Sequence, residues 1–422
     1  MTHFANLSIL IDMTTKVGNI PSGWVKKSIG ECVFEKRKSP IKVDDAANYG
    51  PYPFFTSGEG VLQHNESLID GETLFLATGG VANVKYFEGK AAYSTDTYAL
   101  GGKDGYDTKF LYYLLLFLRD YINTNFFQGS GLKHLKKKDL KSFEIAVPSS
   151  KVEQKRISDA LSKVDDAIAQ TDALITKYES IKKGLMTDLL TNGVDSTGTI
   201  RSESTHQYKD SPIGHIPAEW DVTNFANLSG GIKDYIKTGP FGSSLKGEHW
   251  RETGVPVITI GSLGEDSFIE DNLLYIDEEK AEELSAYALK EGDILFSRVA
   301  DVGRSLIIDK EHSGWVMSSN FMRLRIDQSL MSPMVVNHII KFSASFKEQI
   351  SKNVNNSGRS VTNTAILNSF IIPYIPIDEQ QRILRVIEQN TANINALIVE
   401  REKIKLIKQG FLSDLITGKV RV

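Results

Sequence analysis

Glu153-Gln154-Lys155-Arg156-Ile157 opens a segment that returns 226 residues later as Glu379-Gln380-Gln381-Arg382-Ile383. Further along, Gly184-Leu185-Met186-Thr187-Asp188-Leu189-Leu190-Thr191 returns at residues 410–417 without any gap between the two anchors. Thirteen of the forty-two aligned positions are identical. A duplication with such a long period predicts two similar structural units related by an internal pseudo-two-fold axis.

The repeated segment has the apolar spacing of a long helix with a coiled-coil seam, in alternating steps of four and three residues. Each copy predicts a helix of about forty residues, roughly 60 Å long, which suits a spacer between two bodies. A lone Asn390 in the seam is typical of a residue that fixes register. Burial of both helices in a bundle core is the alternative, which the flanking charges disfavour. The seam residues form the candidate subunit interface: Ile157, Leu161, Val164, Ile168, Ile175, Ile383, Ile387, Asn390, Ile394, Leu397 and Ile404.

A fainter repeat precedes each long helix. Ile20-Pro21-Ser22-Gly23-Trp24 matches Ile216-Pro217-Ala218-Glu219-Trp220, and each copy opens a region of domain size that mixes short β-like and helical runs. The predicted class is therefore α+β, with two globular domains. The predicted divisions are an N-terminal extension (1–17), a first domain (18–149), a first helix (150–193), a linker (194–213), a second domain (214–375) and a second helix with the C-terminus (376–422).

Composition sets the broad class of the protein. The chain has 422 residues, of which 41% are hydrophobic and 24% charged, with a formal net charge of −4. The single cysteine, Cys32, excludes an internal disulfide and a multi-cysteine zinc site. The sequence lacks an apolar run of 18 residues and a secretion-signal pattern, so we expect a cytoplasmic protein.

The sequence lacks the common catalytic motifs. It has no phosphate-binding loop, no dinucleotide fingerprint, no HExxH and no amino-methyltransferase motif. One alternative is a free-standing nuclease in which Asp70, Glu88 and Lys90 bind a metal, although a surface turn is the more ordinary explanation of these three residues. A coiled-coil interaction scaffold without nucleic acid is the other alternative.

Two loops at equivalent positions have polar and basic residues suited to DNA. Residues 130–138 (SGLKHLKKK) match residues 357–363 (SGRSVTN). Glycine allows close approach of the backbone, and Lys, Arg, Ser and Asn side chains can bind phosphates or base edges. Because the net charge and the tract Glu265–Asp293 are acidic, we expect DNA to be clamped with the help of partners. The candidate DNA contacts are Thr78, Gly79, Gly80, Ser130, Gly131, Lys133 and His134 in the first domain, and Gly242, Ser243, Ser244, Lys246, Arg298, Ser357, Arg359 and Ser360 in the second.

Taken together, these motifs resemble the specificity subunits of type I restriction-modification systems. The resemblance covers nearly the whole chain and includes residues 52–58 (YPFFTSG) and 238–245 (TGPFGSSL) besides the repeats. It implies two target recognition domains, each reading half of a split DNA site, held apart by two antiparallel helices. It also implies two methyltransferase subunits docked on the helices and two motor-nuclease subunits. The chain itself would be non-catalytic and bind no cofactor, with S-adenosylmethionine, ATP and Mg²⁺ in the partner subunits. The residues before Gly18 depart from the family pattern.

Overall fold

The computed structural model describes residues 20–241, 244–357 and 361–422. The chain divides into two compact units. Unit 1 contains the residues up to Leu174 together with Leu397–Val422, and unit 2 contains Ile175–Ala396. Both units mix helices and strands, in agreement with the predicted class. The predicted N-terminal extension lies outside the described residues.

In unit 1 a two-stranded pair and a four-stranded sheet border the main core, and a three-stranded sheet packs on a second, smaller cluster that includes Phe55, Phe75 and Tyr93. The orders are β1-β11, β2-β8-β5-β6 and β4-β3-β7, with β3 and β7 parallel, and a short β9-β10 pair is added. The strands are β1 (Trp24–Ser28), β2 (Val33–Glu35), β3 (Tyr52–Phe55), β4 (Val61–His64), β5 (Thr73–Ala77), β6 (Val84–Phe87), β7 (Ala92–Tyr93), β8 (Thr97–Gly102), β9 (Phe127–Gln128), β10 (His134–Leu135) and β11 (Glu144–Pro148). The helices are α1 (Ile29–Cys32), α2 (Thr108–Phe117), α3 (Arg119–Phe126), α4 (Lys137–Ser142) and a 3₁₀ turn (Val43–Asp45).

Unit 2 repeats this topology. Its corresponding orders are β14-β22, β15-β21-β18-β19 and β17-β16-β20, with β16 and β20 parallel. The described strands are β12 (Tyr208–Lys209), β13 (Ile216–Pro217), β14 (Asp221–Asn224), β15 (Ile236–Thr238), β16 (Val255–Ile258), β17 (Leu274–Ile276), β18 (Ile294–Ser297), β19 (Ser305–Ile307), β20 (Val316–Met317), β21 (Phe321–Leu324) and β22 (Ile371–Tyr374). The long helix α5 (Lys151–Asn192) follows unit 1's strands, and the later helices are α6 (Phe225–Leu228), α7 (Glu278–Glu283), α8 (Pro333–Phe342), α9 (Ala344–Ser357), α10 (Thr364–Ser369) and α11 (Ile377–Ile416), with 3₁₀ turns at Gly247–His249, Ile260–Ser262, Glu270–Asn272 and Ser285–Tyr287.

One inner strand of each four-stranded sheet, β5 or β18, is fully buried, and so is β21 beside β18. All five residues of β5 and all four of β18 are buried, and alternate side chains of each strand enter two different apolar clusters. These strands read Thr-Leu-Phe-Leu-Ala and Ile-Leu-Phe-Ser, the continuous apolar run expected of a strand covered on both faces. The residues that follow β5 and β18 are consequently held on a rigid support.

The two long helices are α5, with 42 residues, and α11, with 40. Within unit 1 they run antiparallel: Asp165 pairs with Lys408, and seven residues further along α5, Asp172 pairs with Arg401 at 3.1 Å. A step of seven forward on one helix and seven back on the other keeps one face in contact, as a heptad pattern requires. None of the helices in the described ranges is long and apolar enough to span a lipid bilayer.

Burial corrects the role predicted for the seam. Ile157 and Leu161 lie in the main core of unit 1, and Ile383 and Ile387 in that of unit 2, all at most 5% exposed. Ile175 and Ile394 are also buried, and the rest of the seam is half-buried: Val164, Ile168, Asn390, Leu397 and Ile404. A partner subunit cannot reach the fully buried residues, because each belongs to the core of its own unit. The Oδ1 atom of Asn390 is buried and has no hydrogen-bond partner among the described residues.

The repeated Glu-Gln pair at the helix starts fastens each unit. The Gln154 amide accepts from the Asp107 N–H at 2.8 Å and donates to the carbonyls of Gly105 and Pro148. Gln380 makes the equivalent three bonds, accepting from the Ser332 N–H at 2.6 Å. Asp107 and Ser332 are the N-cap residues of α2 and α8. The motif is therefore a structural joint between the long helix and the domain helix.

The glutamates of the same motif form a second joint, which we call the clasp. In unit 2, Glu379 accepts from the Val194 N–H at 2.9 Å and pairs with both terminal nitrogens of Arg201. In unit 1, Glu153 accepts from Trp24 Nε1 at 3.2 Å and pairs with Arg421. Residues 194–213, predicted to be a linker, thus contain buried residues that complete unit 2, since Val194 and Arg201 are 0% and 6% exposed.

Candidate nucleic-acid interface

In unit 1 the two predicted DNA-contacting segments lie side by side. Gly79 forms an antiparallel bridge with His134. The Gly80 N–H donates to the Lys133 carbonyl at 2.9 Å, and the Leu135 N–H donates to the Thr78 carbonyl at 3.0 Å. Gly80 has a φ of 81°, which favours glycine. These hydrogen bonds hold the two candidate segments together as one surface.

Thr78 supports the loop from beneath. Its hydroxyl donates to the Asp96 carbonyl at 2.7 Å, and its N–H donates to Ser57 Oγ at 3.2 Å. The Ser57 hydroxyl also donates to the Asp96 carbonyl. Because the Thr78 hydroxyl proton is already used by the backbone, Thr78 positions the segment before β8 and its oxygen keeps only acceptor capacity.

The exposed side chains of this surface come from the second segment. Ser130, Gly131, Lys133 and His134 are all exposed. Two apolar residues beside them were not predicted: Val81 is 70% exposed and Leu132 is 65% exposed. A Cβ placed on Gly79 would lie 3.9 Å from Leu132 Cδ2, so this leucine lies directly beside the predicted contacts. Apolar side chains can contact the thymine methyl group in the major groove.

Unit 2 has the same backbone frame with other side chains. Val299 bridges to Val361 as Gly79 does to His134, and the Thr362 N–H donates to the Arg298 carbonyl at 2.9 Å. Ala300 has a φ of 59° where Gly80 has 81°. A left-handed conformation at a non-glycine residue costs energy, so the frame imposes this turn in both units.

Arg298, a candidate DNA contact, also makes contacts within the chain. Its guanidinium donates from Nε to the Thr362 carbonyl and from Nη1 to the Ser319 carbonyl, both at 3.2 Å, and it lies 5.5 Å from the centre of the Phe241 ring. Phe241 is 61% exposed. Arg298 therefore fixes three segments of the loop cluster, with donors left over for a ligand.

The remaining predicted contacts of unit 2 are only partly placed. Ser244 and Lys246 are exposed, and the Ser244 N–H donates to the Phe241 carbonyl at 3.1 Å, which links this segment to Arg298. Ser357 is the last residue of α9. Four of the predicted contacts lie outside the described residues: Gly242, Ser243, Arg359 and Ser360.

The residues of the alternative nuclease site are not assembled into a metal centre. Ile69 bridges to Ala91, which brings Asp70 and Lys90 near each other at the surface, and Glu88 is likewise exposed. The part of the chain that the structure describes contains no group of three His, Cys, Asp or Glu side chains able to bind a metal. These three residues occupy surface turns.

Comparisons with known proteins agree with this architecture. A family model for the type I restriction modification DNA specificity domain matches residues 21–179 and 232–408. The type I restriction enzyme MjaVIII specificity subunit of Methanocaldococcus jannaschii is 23% identical over 428 residues, which cover 96% of this chain and 94% of that protein. The EcoDI specificity subunit of Escherichia coli is 26% identical over 226 residues, half of each chain.

Solved structures show the same fold. The type I restriction-modification S subunit from M. genitalium superposes with a TM-score of 0.54 at 16% identity, covering 95% of this chain and 97% of that one. A chain from a study of complex assembly and conformational transition of the type I system gives 0.61 at 13% identity, with coverages of 96% and 100%. The match of the family model to both repeats, over most of their length, decides the assignment. The chain belongs to the type I restriction modification DNA specificity family, whose members are non-catalytic specificity subunits.

Proposed function

We propose that this protein reads an asymmetric DNA site in two parts, with unit 1 contacting one half-site and unit 2 the other. The observation that supports the proposal is the common frame, in which Gly79 bridges to His134 in unit 1 and Val299 bridges to Val361 in unit 2. Equivalent backbones can approach DNA in equivalent ways, while different side chains select different bases. Two unlike half-sites separated by an unread spacer follow from this arrangement.

The proposal includes partner subunits, because the chain belongs to a family of non-catalytic subunits. Two methyltransferase subunits would dock on the long helices, and two motor-nuclease subunits would join them, in the cytoplasm. More than half of the seam residues are buried, so docking would use the outer face of α11, where Val399, Leu406 and Ile407 are 53%, 67% and 63% exposed. S-adenosylmethionine, ATP and Mg²⁺ would be bound by the partners.

Methylation mapping tests the proposal directly. The chain is co-expressed with its methyltransferase subunit, and methylated adenines are located across the host genome. We expect one bipartite motif. His134→Ala should relax the first half-site only and Arg359→Ala the second only, each by about 1–3 kcal/mol of discrimination if the side chain contacts a base.

Lys310, at the far end of the unit 2 sheet, provides a matched control, and Lys310→Ala should leave the motif unchanged. Methylation without a motif in the wild type would contradict the proposed function. A change in both half-sites on a single substitution would contradict the assignment of one unit to each half-site.

A further inference from the structure

The two units differ in charge although they share a fold. The residues of unit 1 include 27 basic and 24 acidic side chains, whereas those of unit 2 include 22 basic and 29 acidic ones. The formal charges are therefore +3 and −7. Since DNA carries a negative charge about every 1.7 Å along its axis, this difference decides which unit attracts it more strongly.

The positive charge of unit 1 is concentrated beside the predicted reading loop. Lys133, Lys136 and Lys138 are exposed, and no ion pair involves them within the residues that the structure describes. The exposed Lys38 extends this group, which we call the lysine ridge. Lys38 lies near Lys137, because burial and then the charge of Lys38 lower the pKa of Lys137.

Backbone hydrogen bonds fix the ridge to the reading frame. The Lys133 carbonyl accepts from the Gly80 N–H at 2.9 Å, and the Lys136 N–H donates to the Phe126 carbonyl at 2.8 Å. Lys137, between the ridge residues, lies against Tyr98, with Nζ 4.3 Å from the centre of the Tyr98 ring. The three outer lysines are thus presented from an ordered turn and the short helix α4.

The equivalent segment of unit 2 lacks this charge. Residues 126–143 contain five lysines and one aspartate, whereas the matching residues 353–370 contain one arginine and no acidic residue. The match is structural: Leu140 and Leu367 are both buried, and each accepts a backbone bond from the phenylalanine three residues later, Phe143 or Phe370. Where α4 reads Lys-Lys-Asp-Leu-Lys-Ser, α10 reads Thr-Ala-Ile-Leu-Asn-Ser.

We propose that the lysine ridge binds backbone phosphates beside the half-site read by unit 1, and that unit 2 makes few such contacts. The proposal rests on the proposed function and adds an electrostatic asymmetry to it. Unit 1 supplies most of the salt-dependent affinity for DNA of any sequence. Unit 2 adds selectivity to a complex that unit 1 already holds on the duplex.

The test measures DNA binding of the complex with its methyltransferase subunit at several salt concentrations. The variant carries Lys38→Gln, Lys136→Gln and Lys138→Gln together, and it keeps Lys133 because that residue belongs to the candidate reading contacts. Each phosphate contact contributes about 0.9 to the slope of log K against log salt, so the slope should fall by about 2.7. Between 50 and 200 mM salt, wild-type affinity should then drop about 40-fold more than that of the variant. The preference for the specific site over random duplex should be unchanged.

A matched control keeps the same charge change elsewhere. Lys233, Lys290 and Lys310 are exposed and lie near one end of the four-stranded sheet of unit 2, opposite to the end that carries Arg298. At their end Leu324 pairs with Ile236 and Ile294, and Ile294 pairs with Ile307. Their triple substitution by glutamine should leave the slope unchanged. Ethylation interference on the wild-type complex should show phosphate contacts concentrated at one half-site, and those contacts should be lost in the ridge variant.

Three outcomes would overturn the inference. An unchanged slope in the ridge variant, with site preference intact, would remove the ridge from the DNA while leaving the proposed function standing. Equal phosphate interference at both half-sites would remove the asymmetry. Weakened assembly with the methyltransferase subunit at an unchanged slope would assign the ridge to a protein partner. Failure of the wild type to prefer any sequence would instead count against the proposed function itself.

Discussion

The clasps of the two units use equivalent glutamates, Glu153 and Glu379, in different surroundings. In unit 2, Arg201 and Glu379 are an ion pair with side chains 6% and 2% exposed. In unit 1, Arg421 and Glu153 pair with side chains 47% and 13% exposed. A pair removed from water leaves a costly unpaired charge when one partner is lost, whereas an exposed pair is replaced by hydration. Equivalent sequence positions therefore do not imply equivalent contributions to stability.

The tryptophans of the two clasps show the same contrast. Trp24 Nε1 donates to Glu153, while Trp220 Nε1 is buried without a partner among the described residues. In unit 2 the arginine and the Val194 N–H occupy the carboxylate that the tryptophan uses in unit 1. Gly193 has a φ of 64°, and a Cβ at this position would lie 2.0 Å from Glu379 Oε1. Only glycine therefore allows the backbone to approach the Glu379 carboxylate so closely.

Removing the arginine should give the largest difference in stability between the two clasps. Arg201→Ala leaves Glu379 buried without its cation and should lower the free energy of unfolding by about 3–5 kcal/mol. Arg421→Ala, its matched counterpart, should cost no more than about 1 kcal/mol. Hydrogen exchange followed peptide by peptide in urea would show which unit opens. Equal losses in the two variants would mean that burial does not distinguish the clasps.

The glutamine joints should behave alike, in contrast to the clasps. Gln154→Ala and Gln380→Ala each leave buried backbone groups of equivalent residues unpaired, and each should lower the free energy of unfolding of its unit by about 1–3 kcal/mol. Gln170→Ala, at an exposed position of α5, should change it by less than about 0.5 kcal/mol. The urea midpoints of the two units provide the measurement. A loss in one unit only would break the structural equivalence of the repeats.

Acid should affect unit 2 more than unit 1, through the position that differs between α2 and α8. Tyr113 OH donates to Asp165 at 2.7 Å, whereas the matching His338 has a buried Nδ1 without a partner in the described chain. Burial, with Lys341 and Lys182 nearby, lowers the pKa of His338 to about 4, and Asp266 opposes the shift. A lowered histidine pKa contributes stability that is present above pH 6.5 and lost as the pH falls towards 4.

At pH 5.5 the expected loss is about 1 kcal/mol relative to pH 7.5. His338→Gln should remove this part of the pH dependence of the urea midpoint of unit 2, because glutamine does not titrate. Unit 1 should keep its wild-type dependence in the variant. An unaltered pH profile for unit 2 would show that His338 is solvated.

The repeat and the heptad spacing were sufficient to predict both long helices and the α+β class. The equivalence of residues 130–138 and 357–363 was also predictable, because both segments have a Ser-Gly pair and polar or basic residues just before the final strand. Their bridges to Gly79 and Val299 were not predicted. Burial was not: the apolar seam at Ile157 and Ile383 gave no sign that it belonged to domain cores. The exposure of Val81 and Leu132 was equally unpredictable, because the sequence does not show whether an apolar residue in a loop faces solvent or the core.

The predicted linker shows why local composition misleads. Residues 194–213 are rich in Ser, Thr and Gly, which is typical of a flexible connection. One buried ion pair, between Arg201 and Glu379, reverses that expectation. Glu379 lies 178 residues after Arg201 in the sequence, so no local pattern could have indicated this ion pair.

The division of the chain also sets an order of events during synthesis. Unit 2 is continuous, from Ile175 to Ala396, whereas unit 1 needs Leu397–Val422 to be complete. A ribosome therefore synthesises every residue of unit 2 before it synthesises the C-terminal segment that completes unit 1. Domains generally fold in the order in which they emerge from the ribosome. Here the core of unit 1 stays incomplete until all of unit 2 has been synthesised, because Leu415 and Ile416 belong to that core.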